Sequence, residues 1–283
     1  MTNQDRIVFM FSGGADAAAA VRSLSETFSV VTLTLDIGQG RELTGVRERA
    51  LASGASRAHV LDVRDELARK YFWPAVQAGR AFLTRPGELL APLVASKLME
   101  LAKIEDARAV AHEWSGEDAL RVKGALEAVA PDLDVLAPVS SAGLSALDDA
   151  TLWSSARLLP GTPFELTRNA ADAPAEGASV EIAFGNSFPE RLNGIEMSLV
   201  EAVESLETLA GAHGVGRVPL KENAWIEAPA AIVLEIAYAA LPAAASHGRL
   251  DGTVALRLRQ GHCAVVSCSP SEPRMAIASG EPR

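Results

Sequence analysis

Between Arg6 and Val139 the sequence repeats one pattern: a short apolar run, a loop, then a longer amphipathic stretch. The strand-like runs are Arg6–Phe11, Ser29–Asp36, Arg57–Val63, Ala107–His112 and Leu133–Val139. Helical patterns fill Asp16–Glu26, Leu43–Ser53, Glu66–Ala81, Glu88–Glu105 and Asp118–Val129. Apolar strands separated by amphipathic crossovers are the signature of a parallel sheet covered on both faces, because parallel neighbours cannot be joined by a tight turn. The alternation therefore predicts an α/β fold with a doubly wound five-stranded parallel sheet. Right-handed crossovers then gather the loops that follow the strands on one edge, where open α/β sheets bind ligands.

After Val139 the alternation stops. "SSAGLSALDD" is a small, polar connector, and the remainder reads as a smaller α+β segment. Ser179–Gly194 forms a strand-turn-strand pattern, Ser198–His213 and Ala228–Ala240 have helical periodicity, and Thr253–Ser267 reads as a hairpin turning at Gln260-Gly261. The expected division is residues 1–142 and 143–283, with a poorly ordered tail after Ser269. No internal repeat is evident.

Composition narrows the function classes. A formal net charge of −10 argues against a general nucleic-acid or anionic-membrane surface. There is no basic leader running into an apolar core, and "EIAYAALPAAAS" is broken by Glu235 and Pro242, so a cytoplasmic protein without membrane spans is expected. Cys263 and Cys268 have no ligand spacing around them and read as small buried apolar residues.

The first strand empties into "FSGGADA" (Phe11–Ala17). One reading is a plain strand-to-helix turn, with permissive glycines and Asp16 capping the helix. The other is a phosphate cradle. A glycine loop at the start of the first helix presents free backbone N–H groups and a positive helix end to an anion, Gly13 and Gly14 allow close approach, and Asp16 could hold a magnesium ion bridging phosphates.

Here the chain resembles the argininosuccinate synthase family. "SGG-x-D" after strand one is similar to the pyrophosphatase-type loop of N-type ATP pyrophosphatases, and "LTLDIGQGRE" (Leu33–Glu42) looks like the family's second-strand signature. Similar stretches follow in the family's order, including Ala50–Glu66, Ala91–Gly116, Ala125–Val139, Asp148–Leu158, Leu192–Val218, Glu222–Ala231 and Asp251–Gly261. The resemblance implies a nucleotide-binding domain of Rossmann-like type over 1–142, then a shortened synthetase-like domain. It implies an ATP- and Mg2+-dependent, AMP-forming carbon–nitrogen ligase: ATP activates a substrate oxygen, pyrophosphate leaves, and a nucleophile displaces AMP. It also implies a homo-oligomer, dimer or tetramer, acting on a small amino-acid or carboxylate substrate. Carried over position by position, Phe11, Ser12, Gly13, Gly14, Asp16, Asp36 and Gln39 would bind the nucleotide, with Asp16 on the metal. Arg85, Glu113, Ser115, Glu117, Asp118, Arg121 and Glu222 would meet the substrate, and Asp16, Asp118 and Arg121 would be catalytic.

The departures are as informative. The family loop continues Asp-Thr-Ser, where this chain has Asp16-Ala17-Ala18. Each lost hydrogen bond to a charged ligand would cost about 1.5–3 kcal/mol if nothing replaces it. The family's Gly-Cys-Thr-Gly-x-Gly-Asn-Asp-x-x-Arg segment reads "EWSGEDALR" (Glu113–Arg121), about two residues shorter, with Glu117 in place of the aspartate-binding asparagine. A carboxylate there repels a substrate carboxylate. The citrulline-binding Tyr-x-x-Gly-Thr stretch becomes "LTRPGE", family serines become Leu147 and Ala156, and the substrate tyrosine aligns with Ile226. Three functions follow from these residues: a family ligase with a different substrate pair, a genuine argininosuccinate synthase, or a non-catalytic nucleotide-binding protein that keeps the fold. His112 could be a catalytic base, wall the pocket or simply pack, and Trp114 could stack on a base, close the pocket or pack. Trp153 reads as packing at the domain junction, and Arg217 and Lys221 could serve phosphate or substrate but read more simply as solvated surface.

Overall fold

The computed structural model describes residues 5–39, 43–79, 86–114, 116–136, 156–158, 160–220, 223–241 and 251–270. The chain divides into two compact units, Met1–Pro160 with Leu220–Ile226, and Gly161–Pro219 with Glu227–Arg283. The expected boundary at 142/143, the connector and the tail beyond residue 270 lie outside the described residues.

In the first unit, β1 (Arg6–Met10), α1 (Ala15–Ser25), β2 (Ser29–Asp36), α2 (Val46–Ala52) and β3 (Arg57–Asp62) succeed one another as the alternation predicts. The helix expected over Glu66–Ala81 is interrupted: α3 (Arg64–Leu67) passes through a π turn (Ala68–Phe72) into α4 (Trp73–Gln77). Pro74 supplies the reason, since it has no N–H for the carbonyl of Lys70 and its ring crowds that carbonyl, which a widened turn relieves. Then come α5 (Pro86–Ile104), β4 (Ala109–Ala111), α6 (Gly116–Val129) and β5 (Asp134–Leu136).

These strands form one parallel sheet of order β3-β2-β1-β4-β5. β1 is central. Its alternate residues feed two separate cores. Ile7, Phe9 and Phe11 pack with Ala17, Ala20, Val21 and Leu24 of α1 and with Val46 and Ala50 of α2. Val8 and Met10 face the other way, into Leu93, Val94, Leu98 and Leu101 of α5 and Val122 and Leu126 of α6. The chain adds strands outward from β1 in one direction, then returns to add β4 on β1's other side. That reversal opens a crevice between the carboxyl ends of β1 and β4.

At the opposite end of the unit, Glu105 is buried, its side chain 3% exposed. It accepts from Arg57 Nη1 at 2.8 Å and meets His59 Nε2 at 3.1 Å. Burial alone would push its carboxyl up; the partners Arg57 and His59 outweigh that and hold it below the usual range.

Beyond β6 (Ala156–Leu158), the second unit is built on an antiparallel sheet of order β13-β12-β7-β8-β9. Its strands are β7 (Ala178–Gly185), β8 (Phe188–Leu192), β9 (Ile195–Glu196), β12 (Gly252–Arg259) and β13 (His262–Pro270). The short strands β10 (Arg217–Pro219) and β11 (Trp225–Glu227) fall between α7 (Leu199–Ala212) and α8 (Pro229–Ala240). Val180, Ile182 and Phe184 of β7 and Val254, Leu256 and Leu258 of β12 are all buried. Period-two burial of this kind marks a sheet with one face on a core. The β12–β13 hairpin turns where expected, with Gln260 (φ 45°) and Gly261 (φ 84°) both left-handed, the geometry that matches strand twist. Ser198 caps α7 reciprocally with Glu201. Of the two cysteines expected to be buried, Cys263 is half-buried and Cys268 is exposed, because both lie on the edge strand β13. Burial pushes the Cys263 thiol up to about 11.

Arg217, expected at a solvated surface, is half-buried in a network. It donates through Nε to Thr167 Oγ1 (2.7 Å), through Nη2 to the Thr167 carbonyl (2.9 Å) and through Nη1 to Asn169 Oδ1 (3.1 Å), and it lies 3.5 Å over the Phe164 ring. Beside it, Glu227 is wholly buried and accepts the backbone N–H groups of Glu165, Leu166 and Thr167 at 2.9, 3.1 and 2.8 Å, together with the Thr167 hydroxyl.

Candidate active site

β1 delivers its loop to the crevice. The Phe11 N–H donates to the Leu33 carbonyl and the Phe11 carbonyl accepts from Thr34 Oγ1, each at 2.8 Å, so the strand is tied to β2 up to the first loop residue. The Phe11 side chain is fully buried in the α1/α2 core. That burial fixes where the loop starts.

From Ser12 to Asp16 the chain is exposed or half-exposed. Gly13 has φ +93°, and a Cβ there would lie 2.9 Å from Arg49 Nη2 and 3.0 Å from Val46 Cγ2, so only glycine fits. Gly14 precedes α1, and no side chain caps that helix. The N–H groups of Ala15, Asp16 and Ala17 precede the first intrahelical acceptor, and among the described residues no side chain caps them, the arrangement an anion completes. Asp16 stands exposed in the first turn. Ala17 turns inward with no exposed surface, while Ala18 is only half-buried.

β4 pairs with β1 in register Ile7–Ala109, Val8–Val110 and Phe9–Ala111. Continuing that register sets Glu113 beside the start of the loop. Its Oε1 accepts the Ser12 N–H at 3.0 Å, and the residue is only 5% exposed. Burial holds its carboxyl above the usual range; hydrogen bonding from Ser12 opposes this and the charge of Asp16 adds to it. Gly14 N–H donates to Ser12 Oγ at 3.1 Å. His112, 2% exposed, packs 5.5 Å from the Trp114 ring; burial lowers its affinity for a proton, and its Nδ1 has no partner among the described residues.

α6 carries the third group. Buried Asp118 accepts from Arg121 Nη1 at 2.7 Å, and Glu117 accepts from Arg121 Nη2 at 2.7 Å. The i,i+3 and i,i+4 spacings put all three on one helix face. At the end of β2, Asp36 Oδ1 accepts the Gly38 N–H (2.9 Å). Gln39 uses both ends of its amide locally, accepting from Ile37 N–H and donating to the Leu35 carbonyl at 2.7 Å each. These two shape the β2 loop. Arg85, Ser115 and Glu222 lie outside the described residues.

One residue at the loop escaped the sequence reading. Arg49 of α2 donates from Nε to the Gly13 carbonyl at 3.3 Å and from Nη1 to the Thr44 carbonyl at 2.5 Å. On a helix pattern it reads as a solvated arginine; only the α2 crossover beside β1 brings it over the loop. Among the described residues no cluster of three or more His, Cys, Asp or Glu could hold a metal ion, and no helix is long and apolar enough to cross a membrane.

Comparison with known proteins extends over both units. Residues 6–152 match the Arginosuccinate synthase N-terminal HUP domain and residues 151–257 the Arginosuccinate synthase C-terminal domain. Among curated relatives, the argininosuccinate synthase of Geobacillus kaustophilus is 34% identical over 81% of this chain and 68% of its own length. That of Bacillus subtilis is 32% identical over 79% and 65%, and that of Pelotomaculum thermopropionicum 33% over 77% and 64%. The chain thus spans about two thirds of these relatives. Matched in order by both domains of one family from residue 6 to residue 257, it belongs to the argininosuccinate synthase family, whose members are ATP-dependent ligases.

Proposed function

We propose that the protein is an AMP-forming carbon–nitrogen ligase of this family whose substrate pair is not citrulline and aspartate. The supporting observation is Arg121, the cation carried over as a substrate contact, which is held at 2.7 Å by each of two carboxylates, Asp118 and Glu117. A substrate carboxylate approaching it meets a guanidinium already neutralised and a like charge at Glu117. An amine or a neutral polar group meets neither penalty.

The division of labour follows the two domains, nucleotide over residues 1–142 and synthetase-like functions over 143–283. ATP supplies the activation, turning a poor leaving oxygen on the substrate into a phosphate-ester leaving group. The residues of this chain do the rest. Gly13, Gly14 and the open end of α1 cradle phosphates; Asp16, exposed beside them, is suited to hold Mg2+ through one carboxylate and the phosphates. Asp36 and Gln39 keep the β2 loop open for the nucleoside. Asp118 and Arg121 orient the second substrate, with Arg85, Ser115 and Glu222 as its further contacts. His112, buried and with its proton affinity lowered by that burial, would serve as proton acceptor for an incoming amine. A cytoplasmic homo-oligomer belongs to the same proposal.

A pyrophosphate-release screen across amino acids and small carboxylates, taken in pairs, tests it. Turnover with a pair containing neither citrulline nor aspartate is expected. AMP formation requiring both citrulline and aspartate overturns it and makes the protein an argininosuccinate synthase, the second reading, whose activity is the one the relatives above are named for.

A further inference from the structure

The bond between Ser12 and Glu113 crosses the crevice at the point where the sheet reverses its strand order. On one side stands the first backbone donor of the β1–α1 loop. On the other stands a carboxyl group from the end of β4, 95% removed from solvent, whose Oε1 accepts that donor. We infer that Glu113 is an internal competitor for the anion position of this loop, so that a phosphate group binds there only by displacing its carboxylate from the Ser12 N–H. The inference rests on the nucleotide-binding reading proposed above and adds the residue that sets its affinity.

Three features of the surroundings carry the argument. The Gly14 N–H is also satisfied within the loop, by Ser12 Oγ, so two of the loop's donors, those of Ser12 and Gly14, are occupied, while among the described residues no side chain caps those of α1's first turn. A phosphoanion can therefore lodge at α1, but gains the full set of loop donors only when Glu113 moves. The remaining charges do not ease coexistence. Asp16 already raises the electrostatic cost of a charged Glu113, and a phosphate beside both would raise it further. Arg49, a cation at the loop, donates to the Gly13 and Thr44 carbonyls. Specificity also follows. A monoanion or a single phosphate recovers little of the cost of displacing Glu113, whereas a polyphosphate reaches the α1 donors and the Ser12 donor together and offsets it with several bonds.

The test is calorimetric titration of inorganic pyrophosphate and of Mg2+-ATP into the full chain, wild type, Glu113→Gln and Glu113→Gly. Gln keeps an acceptor for Ser12 but removes the charge; Gly removes both. Affinity should rise in the order wild type, Gln, Gly, with the glycine variant tighter by on the order of tenfold, the scale of one hydrogen bond to a charged group. Pyrophosphate should also raise the melting temperature of the glycine variant more than that of the wild type. If either variant, folded by its melting transition, binds no more tightly than a wild type that does bind, the competitor role is wrong while the nucleotide reading stands. If none of the three binds either ligand, both fall together. Should the glycine variant fail to fold, the glutamine variant alone decides.

Discussion

Glu227→Ala tests whether the buried carboxylate of the second unit is structural. The wild-type side chain has no exposed surface and accepts three consecutive backbone N–H groups, of Glu165, Leu166 and Thr167, plus the Thr167 hydroxyl. Truncation leaves four donors without an acceptor. At about 1–3 kcal/mol for each unsatisfied buried donor, a simple sum would reach roughly 4–12 kcal/mol. The hole left by a carboxylate admits water, and Thr167 can reorient toward its other neighbours, so the expected loss is about 3–5 kcal/mol, the range for removing one partner of a buried charged network. Glu227→Gln keeps the shape but points an amide N–H at one or more donors, and should lose roughly half as much. Hydrogen exchange at the amides of residues 165–167 provides the assay, because it reads this segment without requiring the two units to unfold together. Protection there should fall in both variants, further in Ala than in Gln, and the denaturation midpoint of the second unit should fall with it. Unchanged exchange at all three amides, with a midpoint shifted by less than about 1 kcal/mol, would refute the reasoning.

Three more outcomes follow from the geometry. Glu105 is held below its ordinary value of 4.5, so its contribution is present above that pH and is lost as pH falls through the lowered native value; urea midpoints taken from about pH 6 to about pH 3 should decline, and Glu105→Gln should start lower and decline less. Ala17→Thr pushes a hydroxyl and a methyl into a site with no exposed surface and should cost about 1–3 kcal/mol in thermal melts, whereas half-buried Ala18→Ser should be tolerated and should tighten nucleotide binding in calorimetry. Gly216→Ala would place a Cβ 2.5 Å from the Pro229 backbone at φ +125° and should lower stability by about 3 kcal/mol or more, while Gly161→Ala, at φ +86° with nothing within 4 Å, should lose only about 1 kcal/mol of backbone strain.

The five-stranded sheet was legible because strand length, apolar content and crossover length all point to parallel pairing, and β1's central place follows from the loop it carries. Helix limits were less so. The pattern of Glu66–Ala81 keeps its period straight through a π turn, since apolar spacing does not register one extra residue per turn. At the site, the glycine loop and the Asp118–Arg121 spacing could be read locally. Glu113 could not be read so. Its pairing with Ser12 spans 101 positions and exists only because β4 lies against β1. Ala17 likewise shows its inward direction only once α1 is laid on the sheet, which makes the missing hydroxyl at 17 a matter of packing as well as of phosphate binding.

The two thiols of β13 give the second unit a ready chemical handle. With its thiol pushed up to about 11, Cys263 is a thiolate in only about one molecule in ten thousand at neutral pH, and thiol reagents attack the thiolate. Cys268, five positions along the same strand, is exposed. Brief treatment with a maleimide dye therefore marks Cys268 and leaves Cys263 unmodified, with no cysteine substitution required. A fluorophore so attached sits on the edge strand of the second unit and reports on that unit's own unfolding.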